Sequence, residues 1–345
     1  MATESAVIDD VDRQILHALQ LAPRAGFARM AGVLGVSEQT VARRYQRMRT
    51  GGVVRVFGRP DPGRLPGTSL WTLRIGCRPG TTDALAAALA RRPDTSWVSI
   101  GAGGAELTCQ AMVSDSGTRR EGLLHHLPRV TNVLTFTAQQ MLHRFAGRDE
   151  VDWIAVGSKL TPEQRGELLS GPGGGTGPDS ARPPAGGDAR LTPADEPLLA
   201  ALARDGRASY AALAAATGWS QRQVANRVAA LAESRALYFD VDAAIQPIGF
   251  RAVAALWITV SPAHLKSVGA RLSEHTELAF AAAMTGTASL FATALCRDAE
   301  ALYRYLTTKI AAIEEIRMIE TVPLMSRVKQ AYFLVENGLL KDPAA

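Results

Sequence analysis

The sequence predicts an α+β chain made of two copies of one unit, each a winged helix-turn-helix followed by a ferredoxin-like βαββαβ domain. Three observations carry this. The chain aligns with itself at a shift of 183 residues, without a gap, from Asp12 to Tyr45, with 13 identities in 34 positions. Each copy opens with three short helical patterns broken by a glycine turn. Each then alternates strand and helix patterns in the order βαββαβ.

In the repeat, Asp12, Leu16, Arg24, Gly35, Ser37, Val41 and Arg44 meet the same residue types at Asp195, Leu199, Arg207, Gly218, Ser220, Val224 and Arg227. The same shift sets Trp97 against Phe280, Gly103 against Gly286 and Leu107 against Leu290. Between these blocks Leu70-Trp71 matches Leu256-Trp257, which implies a local slip to a shift of about 186. A repeat of this length makes each copy one structural unit of roughly 145 residues. Between the copies, Gly171–Gly187 holds seven Gly and four Pro, so Gly157–Arg190 reads as a flexible linker. The expected modules are 1–60 and 191–242 for the winged helix-turn-helices and 66–148 and 248–335 for the ferredoxin-like domains. Residues 149–190 are the linker and 336–345 a tail.

The elements follow in order. Val11, Ile15, Leu16 and Leu19 fall at helical spacing behind acidic residues suited to a helix start. Phe27–Leu34 is a second helix, Gly35 breaks it, and Ser37 caps a third over Glu38–Arg49. Val53–Phe57 alternates as a strand and is the expected wing. Leu70–Ile75, Trp97–Ile100, Leu107–Val113 and Val133–Phe136 with Gln140–His143 read as strands. Thr82–Arg91 and Glu121–Leu127 are the intervening helices, and Gly101–Gly104 is a tight turn. In the second copy, Pro197–Arg204, Tyr210–Ala216 and Ser220–Ser234 are helices and Ala236–Val241 the wing. Val253–Val260, Leu278–Met284, Ser289–Cys296 and Ile316–Val322 are strands around helices Ala263–Glu274 and Asp298–Ile313.

Composition excludes several classes. With 47% hydrophobic and 21% charged residues the chain builds cores. Its longest apolar stretch, Ala252–Val260, is far short of a membrane span. Met1–Asp12 carries four acids and no base, unlike a signal peptide. Cys77, Cys109 and Cys296 are scattered, which argues against a disulfide scaffold or zinc site and for a reducing cytoplasm. A net charge of +5 permits nucleic acid as a partner.

The charge is uneven. Residues 9–59 hold nine Arg against four acids, whereas residues 191–242 hold five Arg against six. Phosphate neutralisation is the main source of DNA affinity, so the first module is expected to dominate binding. Base edges are read from the start of the third helix. The candidate DNA-binding residues are therefore Ser37, Glu38, Gln39, Thr40, Arg43, Arg44 and Arg47. Their counterparts are Ser220, Gln221, Arg222, Gln223, Asn226 and Arg227. Arg24 and Arg207, equivalent in the two copies, are expected to support the fold or a phosphate rather than read a base.

A helix-turn-helix opening at Asp9–Asp12, with Ser37, Thr40, Val41, Arg43 and Arg44 in an S-x-x-T-V-x-R-R pattern, then a βαββαβ domain with a turn at Gly103, resembles the Lrp/AsnC (leucine-responsive) family of bacterial regulators. The resemblance covers nearly the whole chain, twice. It implies that the first module of each unit binds double-stranded DNA and that the second dimerises and senses small effectors, often amino acids. It places the effector site at the glycine turns, giving Gly101, Gly103 and Glu106 in copy one and Thr285, Gly286 and Ser289 in copy two. The family commonly has Asp three residues after the turn glycine, where this chain has Glu106 and Ser289. No catalytic constellation, metal site or cofactor is expected, so the chain reads as a cytoplasmic regulator and not an enzyme. A linker of about 34 residues spans roughly 30 Å, enough for the two units to pair within one chain as a pseudo-dimer. Further homo-oligomerisation is expected through the surfaces left free. The alternative is a sirohaem decarboxylase-like tetrapyrrole enzyme, since fused tandem proteins of this architecture include such decarboxylases. His125, His126, His143, Arg119 and Arg144 would be its material, and the second copy offers only His264 and His275.

Overall fold

The computed structural model describes residues 8–61, 67–114, 122–147, 160–170 and 190–342. Helix α1 (Asp10–Leu21) starts at a capping box in which Asp9 accepts from the Asp12 amide and Asp12 from the Asp9 amide. Helix α2 (Phe27–Leu34) ends at Gly35, whose φ of +67° is a left-handed cap that glycine adopts without strain. Helix α3 (Glu38–Thr50) is capped by Ser37, whose Oγ accepts from the Thr40 amide at 3.1 Å. Strands β1 (Val54–Pro60) and β2 (Thr68–Cys77), helix α4 (Thr82–Ala90), strands β3 (Thr95–Gly101) and β4 (Glu106–Ser114), helix α5 (Leu123–His126) and strand β5 (Val133–Ala146) complete the first copy.

A helix α6 (Pro162–Leu169) precedes the second copy, which opens with α7 (Glu196–Arg204), α8 (Tyr210–Thr217) and α9 (Gln221–Glu233). Gly218 and Ser220 repeat the roles of Gly35 and Ser37. Strand β6 (Leu237–Ala243) and helix α10 (Ile245–Ile248) lead into β7 (Ala252–Val260), α11 (Leu265–Ser273), β8 (Leu278–Met284), β9 (Leu290–Cys296), α12 (Ala299–Tyr305) and β10 (Ile316–Arg327). Residues 306–310 continue α12 as a π-helical turn where one unbroken helix to Ile313 was expected.

The chain falls into two units sorted by module type rather than by copy. One comprises Met1–Pro66 with Ile154–Ala244, the other Gly67–Trp153 with Ile245–Ala345. In the first, each strand expected as a wing finds its ladder partner in the other copy, while Leu237 and Phe239 still pack on the helices of their own copy. β1 and β6 pair with each other, antiparallel, from Val54 opposite Ala243 to Pro60 opposite Leu237. Phe57 lies opposite Asp240, its own equivalent at a shift of 183, so a pseudo-two-fold axis passes through that pair. Gly206 crosses the ribbon beside it, its amide donating to Val56 O at 2.8 Å. A Cβ there would stand 2.7 Å from Phe57 backbone atoms.

Two arginines lock this pairing reciprocally. Arg24 donates to the carbonyls of Gly206 and Ala208, and its guanidinium lies over the rings of Tyr210 and Phe239. Arg207 donates to the carbonyls of Pro23 (2.6 Å) and Ala25 (2.8 Å) and lies over Phe27 and Tyr45. Burial pushes both guanidinium pKa values down from the usual value. The charge stays because carbonyls and ring faces replace the lost water. Arg49 adds an ion pair to Asp205 at 2.8 Å.

Three further arginines hold each third helix on its first. Arg44 reaches Asp9 (2.6 Å) and Asp12 (3.0 Å), and Arg47 also reaches Asp12. In copy two, Arg227 grips Asp195 through Nε (2.7 Å) and Nη2 (2.6 Å). Arg227 holds the Asp195 carboxyl below the usual carboxylate range, against the opposing effect of burial.

Residues 149–190 were expected as linker, yet α6 lies within them and packs on α1 and α2. Leu168 is fully buried, Gln164 donates to Val33 O at 2.8 Å, and the Leu160 amide donates to His17 Nδ1 at 3.1 Å. The glycine-rich Gly171–Gly187 lies outside the described residues.

In the second unit, eight strands close into a barrel in the order β10-β3-β4-β2-β5-β8-β9-β7. β5 is one long strand where two pieces were expected; it pairs with β2 and then, through a bulge, with β8. β10 does the same with β7 and β3. Each long strand therefore joins the two copies. Helix-facing residues form two cores, around Leu73, Ile75, Leu89 and Leu107 in copy one and Leu256, Ile258, Val268 and Leu290 in copy two. The register also overturns the slip to 186. Leu73 lies opposite Cys109, and Leu256 opposite Ala292. Cys109 and Ala292 are 183 apart, so Leu73 is equivalent to Leu256 and Arg74 to Trp257. A three-residue slip would turn every side chain to the wrong face, because strands alternate with period two. The expected tail at 336–345 also carries structure: β11 (Lys329–Gln330), β12 (Phe333–Glu336) and β13 (Leu339–Lys341) form a small sheet with Leu340 fully buried.

Replacing Arg207 with Met should strip the Pro23 and Ala25 carbonyls of their donors and cost about 2–4 kcal/mol. Urea unfolding should show a lower midpoint with an unchanged slope; an unchanged midpoint would dismiss the clasp. The Asp195–Arg227 pair gives a pH signature. A depressed folded pKa means that its stabilisation is present above the unfolded value of about 3.9 and fades as pH falls through the folded pKa. Asp195→Asn should therefore be less stable than wild type at neutral pH, and the two should converge on acidification. Melting temperatures across that window provide the check.

Candidate nucleic-acid interface and ligand pocket

The capped starts of α3 and α9 present different polar faces. On α3, Ser37, Glu38, Gln39 and Arg43 are exposed and Thr40 is half-buried, its hydroxyl 2.8 Å from Ser37 Oγ. On α9, Ser220, Gln221, Arg222, Gln223 and Asn226 are exposed. Gln223 closes a capping box, its Oε1 accepting from the Ser220 amide at 2.9 Å. The two serines are thus occupied as caps, as are Thr40 and Gln223 in part. Arg44, Arg47 and Arg227, expected to read DNA, make ion pairs with carboxylates at the start of the first helix of their own head, Asp9 and Asp12 in copy one and Asp195 in copy two. Their equivalence in the two copies, Arg44 with Arg227 and Asp12 with Asp195, was visible in the repeat and is the signature of a shared structural pair. Arg43 and Arg222 are the exposed guanidiniums of the two helix starts. Arg24 and Arg207 support the fold.

The candidate effector residues divide by copy. Gly101 pairs with Leu324 of β10, and a Cβ there would stand 3.0 Å from Pro323 O. Gly103 has φ +68° and open space around it. Glu106 accepts from Arg74 Nε at 2.7 Å. In copy two, Thr285 Oγ1 accepts from the Gln140 amide at 2.8 Å, so this turn is stitched to β5 of copy one. Gly286, at φ +98°, leaves the space that the Gln139 amide fills. Ser289 closes β7 onto β9, accepting from the Val260 amide at 2.9 Å and donating to Val260 O at 3.1 Å.

The structure adds residues that sequence reading missed. The inner faces of β2, β5, β7 and β10 meet around a cavity of about 110 Å³ lined by Thr72, Arg74, Gln139, Trp257 and Glu320, among others. Arg74 Nη1 donates to Glu320 at 2.7 Å, and its guanidinium lies 5.5 Å from the Trp257 ring centroid. Arg74 holds the Glu320 carboxyl below its ordinary range, against a smaller raising by burial. One signal was available: Arg74 stands between Leu73 and Ile75 as the one charged residue of its strand. The histidines named for a tetrapyrrole site are not joined into one cluster by any described contact. His125 and His126 pack edge to face on each other and His143 on Phe145, while Arg119 lies outside the described residues. Among the described residues, no helix is long and apolar enough to cross a membrane.

Known proteins match this arrangement. The AsnC-type helix-turn-helix domain matches residues 8–49 and again 191–232, and the Lrp/AsnC ligand binding domain matches residues 253–333. An uncharacterised HTH-type transcriptional regulator of Pyrococcus abyssi is 30% identical over 145 residues, spanning 41% of this chain and 91% of the relative. One from Pyrococcus horikoshii is 29% identical over 140 residues, spanning 40% of this chain and 88% of the relative. The crystal structure of the siroheme decarboxylase NirDL superposes with a TM-score of 0.61 at 13% identity, over 94% of this chain and 93% of that one. That likeness is one of fold, and it extends along the whole tandem. The chain belongs to the Lrp/AsnC family of helix-turn-helix regulators, in a form that carries the family unit twice.

Proposed function

We propose that this chain regulates transcription by reading one asymmetric DNA site with two unlike heads. The observation that carries this is the pair of capped, carboxylate-anchored helices α3 and α9, fixed at opposite ends of one ribbon with different exposed side chains. Gln39 and Arg43 offer an amide and a guanidinium; Gln221, Arg222 and Asn226 offer two amides and a guanidinium. Arg pairs with guanine and Asn or Gln with adenine in the major groove. The heads therefore prefer different half-sites, and the target is an imperfect palindrome. A DNA partner supports a cytoplasmic location.

The ferredoxin-like domains serve as the effector-binding and assembly part, with an amino acid or related metabolite as the effector at the glycine turns. Gly101, Gly103 and Glu106 supply one turn, and Thr285, Gly286 and Ser289 the other. Self-association is supported by exposed Leu134 and Leu142 on β5 and Met318 and Met325 on β10, of which Leu142 and Met325 are equivalent at the shift of 183. The siroheme decarboxylase supports the tandem fold but lends no chemistry, because a shared fold does not carry a site.

Arg43→Ala and Arg222→Ala should each cost about 1–3 kcal/mol of DNA binding and relax the base preference of their own half-site. Arg44→Ala should instead lower the melting temperature. Anisotropy titrations over roughly 50–200 mM salt, with thermal melts on the same samples, separate the two effects. Affinity and base preference both unchanged in Arg43→Ala and Arg222→Ala would remove these side chains from the interface. Gly103→Val, which forces a branched side chain into a left-handed backbone, should abolish the effector response while DNA affinity persists. An amino acid that still shifts the binding curve of that variant would place the effector elsewhere.

A further inference from the structure

The cavity inside the barrel has unmet chemistry. Gln139 and Trp257, each only 4% exposed, both line it. Gln139 Oε1 and Trp257 Nε1 are buried with no hydrogen-bond partner among the described residues, and so is Glu106 Oε1 beside Arg74. Native structures pair nearly all such atoms, so the two that line the cavity, on Gln139 and Trp257, mark a place where a partner is missing. Gln139 Oε1 needs a donor and the indole N–H of Trp257 needs an acceptor.

Charge narrows the class. Arg74 is spoken for: Glu106 takes Nε, Glu320 takes Nη1, and Trp257 stacks on the face. Two carboxylates around one guanidinium leave one net negative charge and no cation free to receive an anion. A positively charged donor balances that charge, while a carboxylate increases it.

Symmetry fixes the stoichiometry. Arg74 and Trp257 are equivalent residues of the two copies, so they meet beside the barrel's pseudo-two-fold axis. In a dimer of identical units, two guanidiniums would face each other there. Here the two copies differ, a guanidinium against an indole, which leaves a single lopsided site.

We propose that this cavity binds one small protonated amine per chain, a molecule that also carries an oxygen acceptor. Its ammonium donates to Gln139 Oε1 within the field of Glu106 and Glu320, and its oxygen accepts from Trp257 Nε1. A cavity of 110 Å³ has the liquid volume of about four waters, which suits a ligand of a few heavy atoms. The site depends on the barrel alone and stands whether or not its occupant alters DNA binding.

Ethanolamine is the probe, with ethylene glycol and glycolate as its neutral and anionic counterparts, titrated calorimetrically into the full chain. For so few atoms, binding in roughly the millimolar range is expected, at one molecule per chain, with both counterparts weaker by about tenfold or more. Gln139→Leu should abolish it. Glu320→Gln, a change at a half-exposed side chain, should weaken ethanolamine and narrow its lead over glycolate. Tryptophan fluorescence should respond to ethanolamine in wild type and not in Trp257→Phe. No heat from ethanolamine, glycolate binding as tightly as ethanolamine, or undiminished affinity in a folded Gln139→Leu chain would each overturn the site.

Discussion

An unpaired strand edge is the constraint on which the rest of this structure depends. Each copy ends its helix-turn-helix in a seven-residue strand and its sheet in a strand too long for that sheet alone. Open edges expose rows of donors and acceptors that another strand will take. Here the partner is always the other copy. β1 meets β6, β5 reaches β8, and β10 reaches β3. Once these pairings form, the sorting of the chain by module type follows.

The arginines then divide by role, and geometry rather than charge decides which. Arg24 and Arg207 are half-buried among carbonyls and rings, where a guanidinium has planar donors to spend and ring faces to cover. Arg44 and Arg227 are placed about two helical turns beyond the cap, over acids that are themselves fixed by capping. Their ion pairs are short and partly shielded, so they define the angle at which the third helix leaves the first. What remains at the helix starts is a small set of exposed polar groups, unlike in the two copies. A net charge counted over the whole module overstates what the first head can offer to phosphates, because several of its nine arginines are already neutralised or buried.

Duplication also changes what the barrel can hold. In a dimer of identical chains every residue on the axis faces itself, so a charged residue there meets a like charge. Two diverged copies lift that restriction. Arg74 faces Trp257 and takes Glu320 from β10, while Thr137 stands at the position equivalent to Glu320.

The sequence by itself determined the repeat, the six helices of the two heads, their glycine turns and serine caps, and the βαββαβ order. These are local properties: helical spacing, a left-handed glycine, a hydroxyl three residues ahead of an amide. It also set Arg24 and Arg207 apart as structural, because equivalent charges in both copies outlasted the divergence around them. Only the tertiary structure decided what pairs with what. A strand pattern such as Val53–Phe57 states that an edge exists but not which edge will cover it. The register of β2, misread from a chance Leu-Trp match, became plain only when Leu73 and Leu256 were found under helices on the same face. The ion pairs of Arg44 and Arg227 were set likewise by folding: the repeat shows Asp12 with Arg44 and Asp195 with Arg227 as matched charges, but not that they meet. The cavity around Gln139 and Trp257 needed four strands from both copies to exist at all, and no local pattern encodes a meeting of residues more than 100 positions apart.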